Sequence, residues 1–335
     1  MDDPFDLLER LVAIPSPSGQ EGAYAAEVAR LLEAEGLEVE AREVAPGRPN
    51  VVARPRGAPP KVWLSTHLDV VPPHIPPRRD GDRLYGRGTA DTKGPLVAML
   101  EALRSLDPAA RAQVGFLLVV GEEVDHSGAL AAALQPDLRA RIILGEPTSN
   151  RVVAAQKGLL KVRLVAEGVA GHSAFPDLGV SAVHRLLDVL EAVRRAPWPR
   201  RPALGETTLN VGTIQGGVAA NVFAPRAEAV VLLRLVEPWR DALARIEAAA
   251  AAVEGARVER LTSNDPVTFE PPPGFDTCVI PFNSDASYLA PLGPVWLCGP
   301  GAIEVAHADH EHIDRADLAL GARTYARLLR AALGG

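Results

Sequence analysis

Seven consecutive apolar or small residues, Val114-Gly115-Phe116-Leu117-Leu118-Val119-Val120, run straight into Gly121 and two adjacent carboxylates, Glu122 and Glu123. An unbroken run of this kind reads as a strand buried in a sheet. Two adjacent carboxylates where such a strand ends are costly unless a cation or a proton neutralises them. The plain alternative is an exposed turn.

Other segments repeat the theme. Phe5, Leu8, Leu11 and Val12 share one face of a helix predicted over 4–12. After the turn-rich stretch 15–19, a second helix runs to about residue 34, with Gly36 as its stop. Strands are predicted at 37–44, 50–54, 62–65, 114–120 and 141–144, and helices at 94–106 and 127–134. Helices alternating with apolar strands imply an α/β domain whose central sheet is covered on both faces. From residue 158 the order changes to strands at 158–167, 208–213 and 227–236, with helices at 180–195 and 240–253, which reads as a small α+β domain. A buried strand at 292–298 and a closing helix at 313–333 complete the chain. The expected organisation is therefore two-domain: 1–156 with 265–335 forms the α/β domain, and 157–264 is inserted into it. A length of 335 residues agrees, being more than one ordinary core takes.

Composition narrows the function classes. The formal net charge of −7 disfavours nucleic acid as a partner. No apolar run reaches the ~18 residues of a membrane span, and no basic-then-apolar start suggests a secretory signal. Cys278 and Cys298 are the only cysteines, which gives no disulfide framework and points to a reducing cytoplasm.

Five short motifs carry the candidate chemistry. Ser65-Thr66-His67-Leu68-Asp69 ends a predicted strand, where ligands of an open sheet collect. His67 can bind a metal through one ring nitrogen while Asp69 holds the other N–H; the alternative is a histidine in a polar loop. Gly86-Arg87-Gly88-Thr89-Ala90-Asp91-Thr92-Lys93-Gly94 places Asp91 just before a helix, with more glycine than a simple N-cap needs. Gly121-Glu122-Glu123, Gly145-Glu146-Pro147-Thr148 and Cys298-Gly299-Pro300-Gly301 with Ala306-His307 follow three further buried strands. Carboxylates and imidazoles without thiols suit zinc, manganese or cobalt.

In this order the motifs resemble those of the M20 metallopeptidase family, and the resemblance spans essentially the whole chain. It implies a catalytic domain holding two Zn2+ ions, with Co2+ or Mn2+ as alternatives, and an inserted dimerisation domain. Asp91 would bridge the two metals, with His67 and Glu146 completing one site and Glu123 and His307 the other. Glu122 matches the general base, and Asp69 the carboxylate behind the metal-bound imidazole. Gly171-His172-Ser173 resembles the element whose histidine reaches the partner subunit's site in a homodimer and holds the scissile carbonyl oxygen. Asn221 lies in a segment similar to the one that contacts the substrate carboxylate. Arg234 matches an arginine often preceded by aspartate two positions earlier, where this chain has Leu232. A loop like Phe282–Ser287 lines the family's pocket, so Asp285 is a candidate partner for a cationic substrate side chain; its alternative is to cap a short helix at 286–289. His74, His126 and His184 receive no role, and His310 and His312 are expected in solvated loops.

The expected reaction is hydrolysis of a linear amide C–N bond in a small N-acyl amino acid. The motif wording is closest to the acetylornithine deacetylase members. Deacylases of lysine-pathway intermediates, succinyl-diaminopimelate desuccinylase and exopeptidases of the same family are the alternatives. A non-enzymatic descendant would be expected to have lost some of the five ligands or Glu122.

Overall fold

The computed structural model describes residues 3–334, so the Met1-Asp2 start lies outside it. The chain divides into two compact units. One comprises the residues up to Ala154, Phe269–Cys278 and the residues from Ser284; the other comprises Ala155–Thr268 and Val279–Asn283.

The first unit is built on a six-stranded sheet in the order Glu38–Ala45, Arg48–Arg54, Val114–Val119, Val62–His67, Arg141–Gly145, Val295–Cys298. The last four strands run parallel, and the hairpin at the opposite edge joins them antiparallel. Every residue of Val62–His67 and Val114–Val119 is buried, as their unbroken apolar character predicts. Their side chains Leu64, Phe116 and Leu118 share one core with Phe5, Leu8, Val28 and Leu32 from the first two helices. Leu96, Met99 and Leu103 of helix Lys93–Arg104 and Tyr325, Leu328 and Leu329 of helix Arg315–Leu333 belong to the same core. Parallel strands put their C-terminal ends on one edge, so the polar residues after them are delivered to the same side of the sheet.

One buried polar side chain ties the hairpin to that edge. Asn50 donates from Nδ2 to the Gly128 carbonyl at 2.8 Å and accepts from the Val120 N–H at 3.1 Å. Both ends of the turn carrying Glu122 and Glu123 are thus fastened to a neighbouring strand.

The second unit is a two-layer α+β structure. Its antiparallel sheet runs Thr208–Gly216, Arg226–Leu235, Gly158–Glu167, Ala256–Asn264. Strand Arg226–Leu235 alternates between buried and more exposed positions along its length. Val231, Leu233 and Leu235 from its buried face pack with Leu186, Val189 and Val193 of helix Ala182–Arg195 and with Ile246 of helix Trp239–Ala251.

Several elements differ from the sequence expectation. Ala256–Asn264 is an edge strand that the sequence does not predict; Arg257, Glu259 and Arg260 interrupt its apolar pattern. Arg78–Asp80, Arg83–Tyr85 and His312–Asp314 form an unexpected three-stranded sheet. His312 therefore lies on a strand rather than in a solvated loop, with its Nδ1 2.8 Å from the His310 carbonyl oxygen. Ile313 is part of that strand, so the closing helix starts at Arg315 rather than at 313. No helix among the described residues is long and apolar enough to cross a membrane.

Candidate metal centre

Asp91 is the hub of the site. The loop that presents it needs unusual backbone: Gly86 and Gly88 have φ of 144° and 91°. Where helix Lys93–Arg104 begins, a Cβ on Gly94 would stand 2.2 Å from the Thr89 carbonyl oxygen, so only glycine lets the helix start so close to the loop. Asp91 is 5% exposed, and its two oxygens face two imidazoles. Oδ1 lies 3.0 Å from His67 Nε2 and Oδ2 lies 3.2 Å from His307 Nε2. His307 Nε2 is also 3.0 Å from Glu123 Oε2. Donor atoms of His67, Asp91 and Glu123 all fall within 4.8 Å of one another. Glu146, next after strand Arg141–Gly145, is buried, and its Oε1 has no hydrogen-bond partner among the described residues.

These groups fit divalent cations. His67 Nδ1 lies 2.9 Å from the Asp69 carbonyl oxygen, which can only accept, so Nδ1 carries a proton and Nε2 is the nitrogen turned to Asp91. Two acceptors 3.0 Å apart need a shared cation or proton between them. Burial, with repulsion from neighbouring carboxylates, pushes Glu122 and Glu146 well above the usual carboxyl range. The same two causes, burial and then Asp91, raise Glu123. Burial alone would raise Asp91 too, but His307 and His67 hold it below its ordinary value. His307, lodged between Asp91 and Glu123, is raised to about 10. Carboxyls held up for want of positive charge, an orphaned buried oxygen and two imidazoles turned toward carboxylates make a candidate donor set for a metal centre, where a bound cation would replace the ring protons.

Asp69 stands behind His67 and also serves a second loop. Its carboxylate stands 3.6 Å from His67 Nδ1, and the hydrogen bond on that nitrogen is to the Asp69 main chain. The side chain instead accepts from Ser18 Oγ at 2.7 Å and from the N–H groups of Gly121, Glu122 and Glu123 at 3.0, 3.1 and 3.2 Å. Through these three convergent N–H groups Asp69 fixes the turn that carries Glu122 and Glu123.

For Asp285 the capping alternative fails. It precedes helix Ala286–Leu289, but its side chain makes no capping hydrogen bond. Its Oδ1 is 2.9 Å from Nδ1 of His126, a residue that the sequence reading left without a role. In the second unit, His172 is exposed, and its Nδ1 accepts from the Ala174 N–H at 3.2 Å. Its loop pairs with the segment holding Asn221, whose carbonyl accepts from the Ser173 N–H at 3.0 Å. Arg234 lies on strand Arg226–Leu235 in register with Thr208 and Leu159.

The sequence reading missed Glu311 and Arg87. Glu311, 1% exposed, accepts through Oε1 from the N–H groups of Gly88, Ala90 and Asp91 at 2.9, 3.1 and 3.2 Å. Its Oε2 accepts from Arg87 Nη1 at 2.7 Å, and Arg87 also donates to the carbonyl oxygens of Ala308 and His307 at 3.2 and 3.3 Å. This buried pair thus ties the Asp91 loop to the His307 loop. Nothing local in the sequence signals it; the pairing spans 224 positions.

Glu311→Gln keeps an acceptor but loses the charge opposite Arg87. It is expected to weaken metal binding by about 10–100-fold, read by competition with a chelator. Asp314→Asn removes an exposed pair with Arg83, whose side chains are 42% and 45% exposed. That control is expected to leave metal affinity unchanged and stability within about 1 kcal/mol. Wild-type affinity in Glu311→Gln would contradict the positioning role.

Comparison with known proteins agrees with this architecture. The sequence profile of Peptidase family M20/M25/M40 matches residues 63–331. A probable carboxypeptidase of Aspergillus clavatus is 36% identical over 373 residues, covering 96% of this chain and 81% of that protein. A tripeptidase from Staphylococcus aureus shares the fold at a TM-score of 0.80 and 23% identity, covering 99% of this chain and 98% of that one. A dinuclear metal binding peptidase of the M20 family from Bacillus subtilis does so at a TM-score of 0.72 and 15% identity, covering 99% and 98%. The profile match and the carboxypeptidase relative span most of the chain, so this protein belongs to Peptidase family M20/M25/M40 and is a hydrolase of amide or peptide bonds.

Proposed function

We propose that the chain is a two-zinc exopeptidase that releases the C-terminal residue of short peptides. The observation that carries the hydrolytic part is the convergence of His67, His307 and Glu123 on Asp91, with Glu146 buried and Glu122 partly buried beside them. Its relatives' carboxypeptidase names move the reading away from the acetylornithine deacetylase suggested by motif wording. The two readings share a leaving group, because an N-acyl amino acid and a peptide C-terminus both present an amide next to a free carboxylate.

His67, Asp91, Glu123, Glu146 and His307 would hold the metals, which supply Lewis-acid activation of water and of the scissile carbonyl. Glu122 takes the proton from the attacking water and passes it to the leaving amine. Asp69 keeps Glu122 and Glu123 in place through their N–H groups. Asn221 and Arg234 are the candidate contacts for the substrate carboxylate.

The substrate test compares zinc-loaded enzyme on blocked dipeptides, on the same peptides amidated at the C-terminus, and on acetylornithine. The expected result is cleavage of the free-acid peptides, no cleavage of the amides, and a kcat/KM for acetylornithine lower by about tenfold or more. Preference for acetylornithine would restore the deacetylase reading.

We also infer a homodimer built through the second unit, in which His172 stabilises the oxyanion at the partner's metal centre. Support comes from an edge strand, Thr208–Gly216, that is exposed over most of its length, and from exposed Val169, Phe175 and Leu178 around His172. Glu122→Gln alone is expected to keep its metals and lose about 10²–10⁴-fold in rate. Mixed with His172→Ala chains, it should regain activity, since one hybrid site is then whole. A proven mixed dimer without recovery would rule out action in trans.

A further inference from the structure

A second group of metal-binding side chains stands next to the first. Glu122, His126 and Asp285 bring an imidazole nitrogen and two carboxylate oxygens within 4.8 Å of one another. His126 Nδ1 is 2.9 Å from Asp285 Oδ1 and 3.8 Å from Glu122 Oε1. Donors sharing one zinc ion at ~2.0–2.2 Å stand roughly 3–4 Å apart, so one ion fits between these atoms with small side-chain adjustments.

The surroundings favour a built site over a chance meeting of surface charges. His126 and Asp285 are 8% and 1% exposed, and the Glu122 side chain is 12% exposed. Asp285 Oδ2 accepts no hydrogen bond among the described residues. The His126 ring stacks on Tyr288 with centroids 4.2 Å apart, which limits its rotation and keeps Nδ1 turned toward the carboxylates. His126 also sits in the left-handed region, at φ 56° and ψ 26°, a conformation disfavoured for a residue with a Cβ. His126 and Asp285 are not among the five donors around Asp91.

We propose that Glu122, His126 and Asp285 form a third cation site, taking a divalent transition metal such as zinc, and that an ion held there inhibits the enzyme by occupying its general base. Binding here must break the His126–Asp285 hydrogen bond and draw Glu122 in from 3.8 Å, so the site is expected to fill after the two-metal centre. Hydrolysis then reaches a maximum at two ions per chain and falls as a third is taken up. The inhibition rests on the proposed role of Glu122; the third binding event does not.

The test is equilibrium dialysis of the full chain against chelator-buffered zinc, with metal counted and hydrolysis measured on the same samples. Wild type is expected to take up a third ion above two, with the rate falling in step. His126→Asn keeps a residue that tolerates left-handed backbone and removes the imidazole. It is expected to weaken the third ion by at least about tenfold, the smallest loss usual when even an indirect partner of a metal is removed. Its inhibition, referred to its own rate at two ions, should shift by the same factor. Saturation of wild type at two ions, or third-ion binding in His126→Asn with wild-type affinity, would overturn the site. A third ion bound to a chain inactive on peptides at every zinc level would leave the site standing and reject the proposed zinc-exopeptidase reading instead. Anomalous scattering from zinc-soaked wild-type crystals decides the matter even if the variant fails to fold. A peak between His126 and Asp285 supports the proposal, and a third ion located only elsewhere defeats it.

Discussion

Crowding of like charge at one sheet edge is the constraint from which the rest follows. Asp91, Glu122, Glu123 and Glu146 gather within an environment that withholds water from most of them. Two carboxylates ~4 Å apart repel by about 4 kcal/mol at an effective permittivity near 20, and each additional one compounds the cost. His67 and His307 supply at most two positive charges against this set, and doing so would use up the lone pairs that ligate metals. Divalent cations resolve both problems together, which is why the arrangement reads as a metal centre rather than as a structural ion-pair network.

Holding such charges together demands rigid support, and the structure supplies it from groups outside the candidate donor set. Glu311 gathers three N–H groups of the Asp91 loop, and Arg87 links that loop to the carbonyls at His307 and Ala308. Asp69 gathers the three N–H groups of the Glu122 turn, and Asn50 fastens both ends of the same turn. In each case a buried side chain satisfies backbone N–H or C=O groups that these loops would otherwise leave orphaned. Removing one therefore affects the position of a ligand as well as stability. His307 is the exception in burial, with its side chain half exposed.

Much of this was legible in the sequence for physical reasons. Strands such as Val114–Val119 are buried on both faces, so their apolar runs stand out and the polar residues after them can be read as site residues. The closing helix shows an apolar face at helical spacing through Leu318, Tyr325, Leu328 and Leu329. The edge strand Ala256–Asn264 escaped because neither face is consistently buried. Glu311 and His126 escaped because their partners lie 224 and 159 positions away, and no periodicity links residues across such distances. Asp69 was found beside His67, but its hold on the N–H groups of Gly121, Glu122 and Glu123 crosses too many positions for any sequence pattern to show it. Substrate choice was the least legible, since motif wording records the shared chemistry of the metals more than the shape of the pocket.

The central claim is that one carboxylate, Asp91, organises two metal ions. Counting metal per folded chain by mass spectrometry in wild type and in Asp91→Ala tests it directly, with circular dichroism confirming that both are folded. The account predicts about two ions per chain in the wild type, by the two-metal template, and loss of both in the variant. A folded Asp91→Ala chain that still holds its full complement would contradict it.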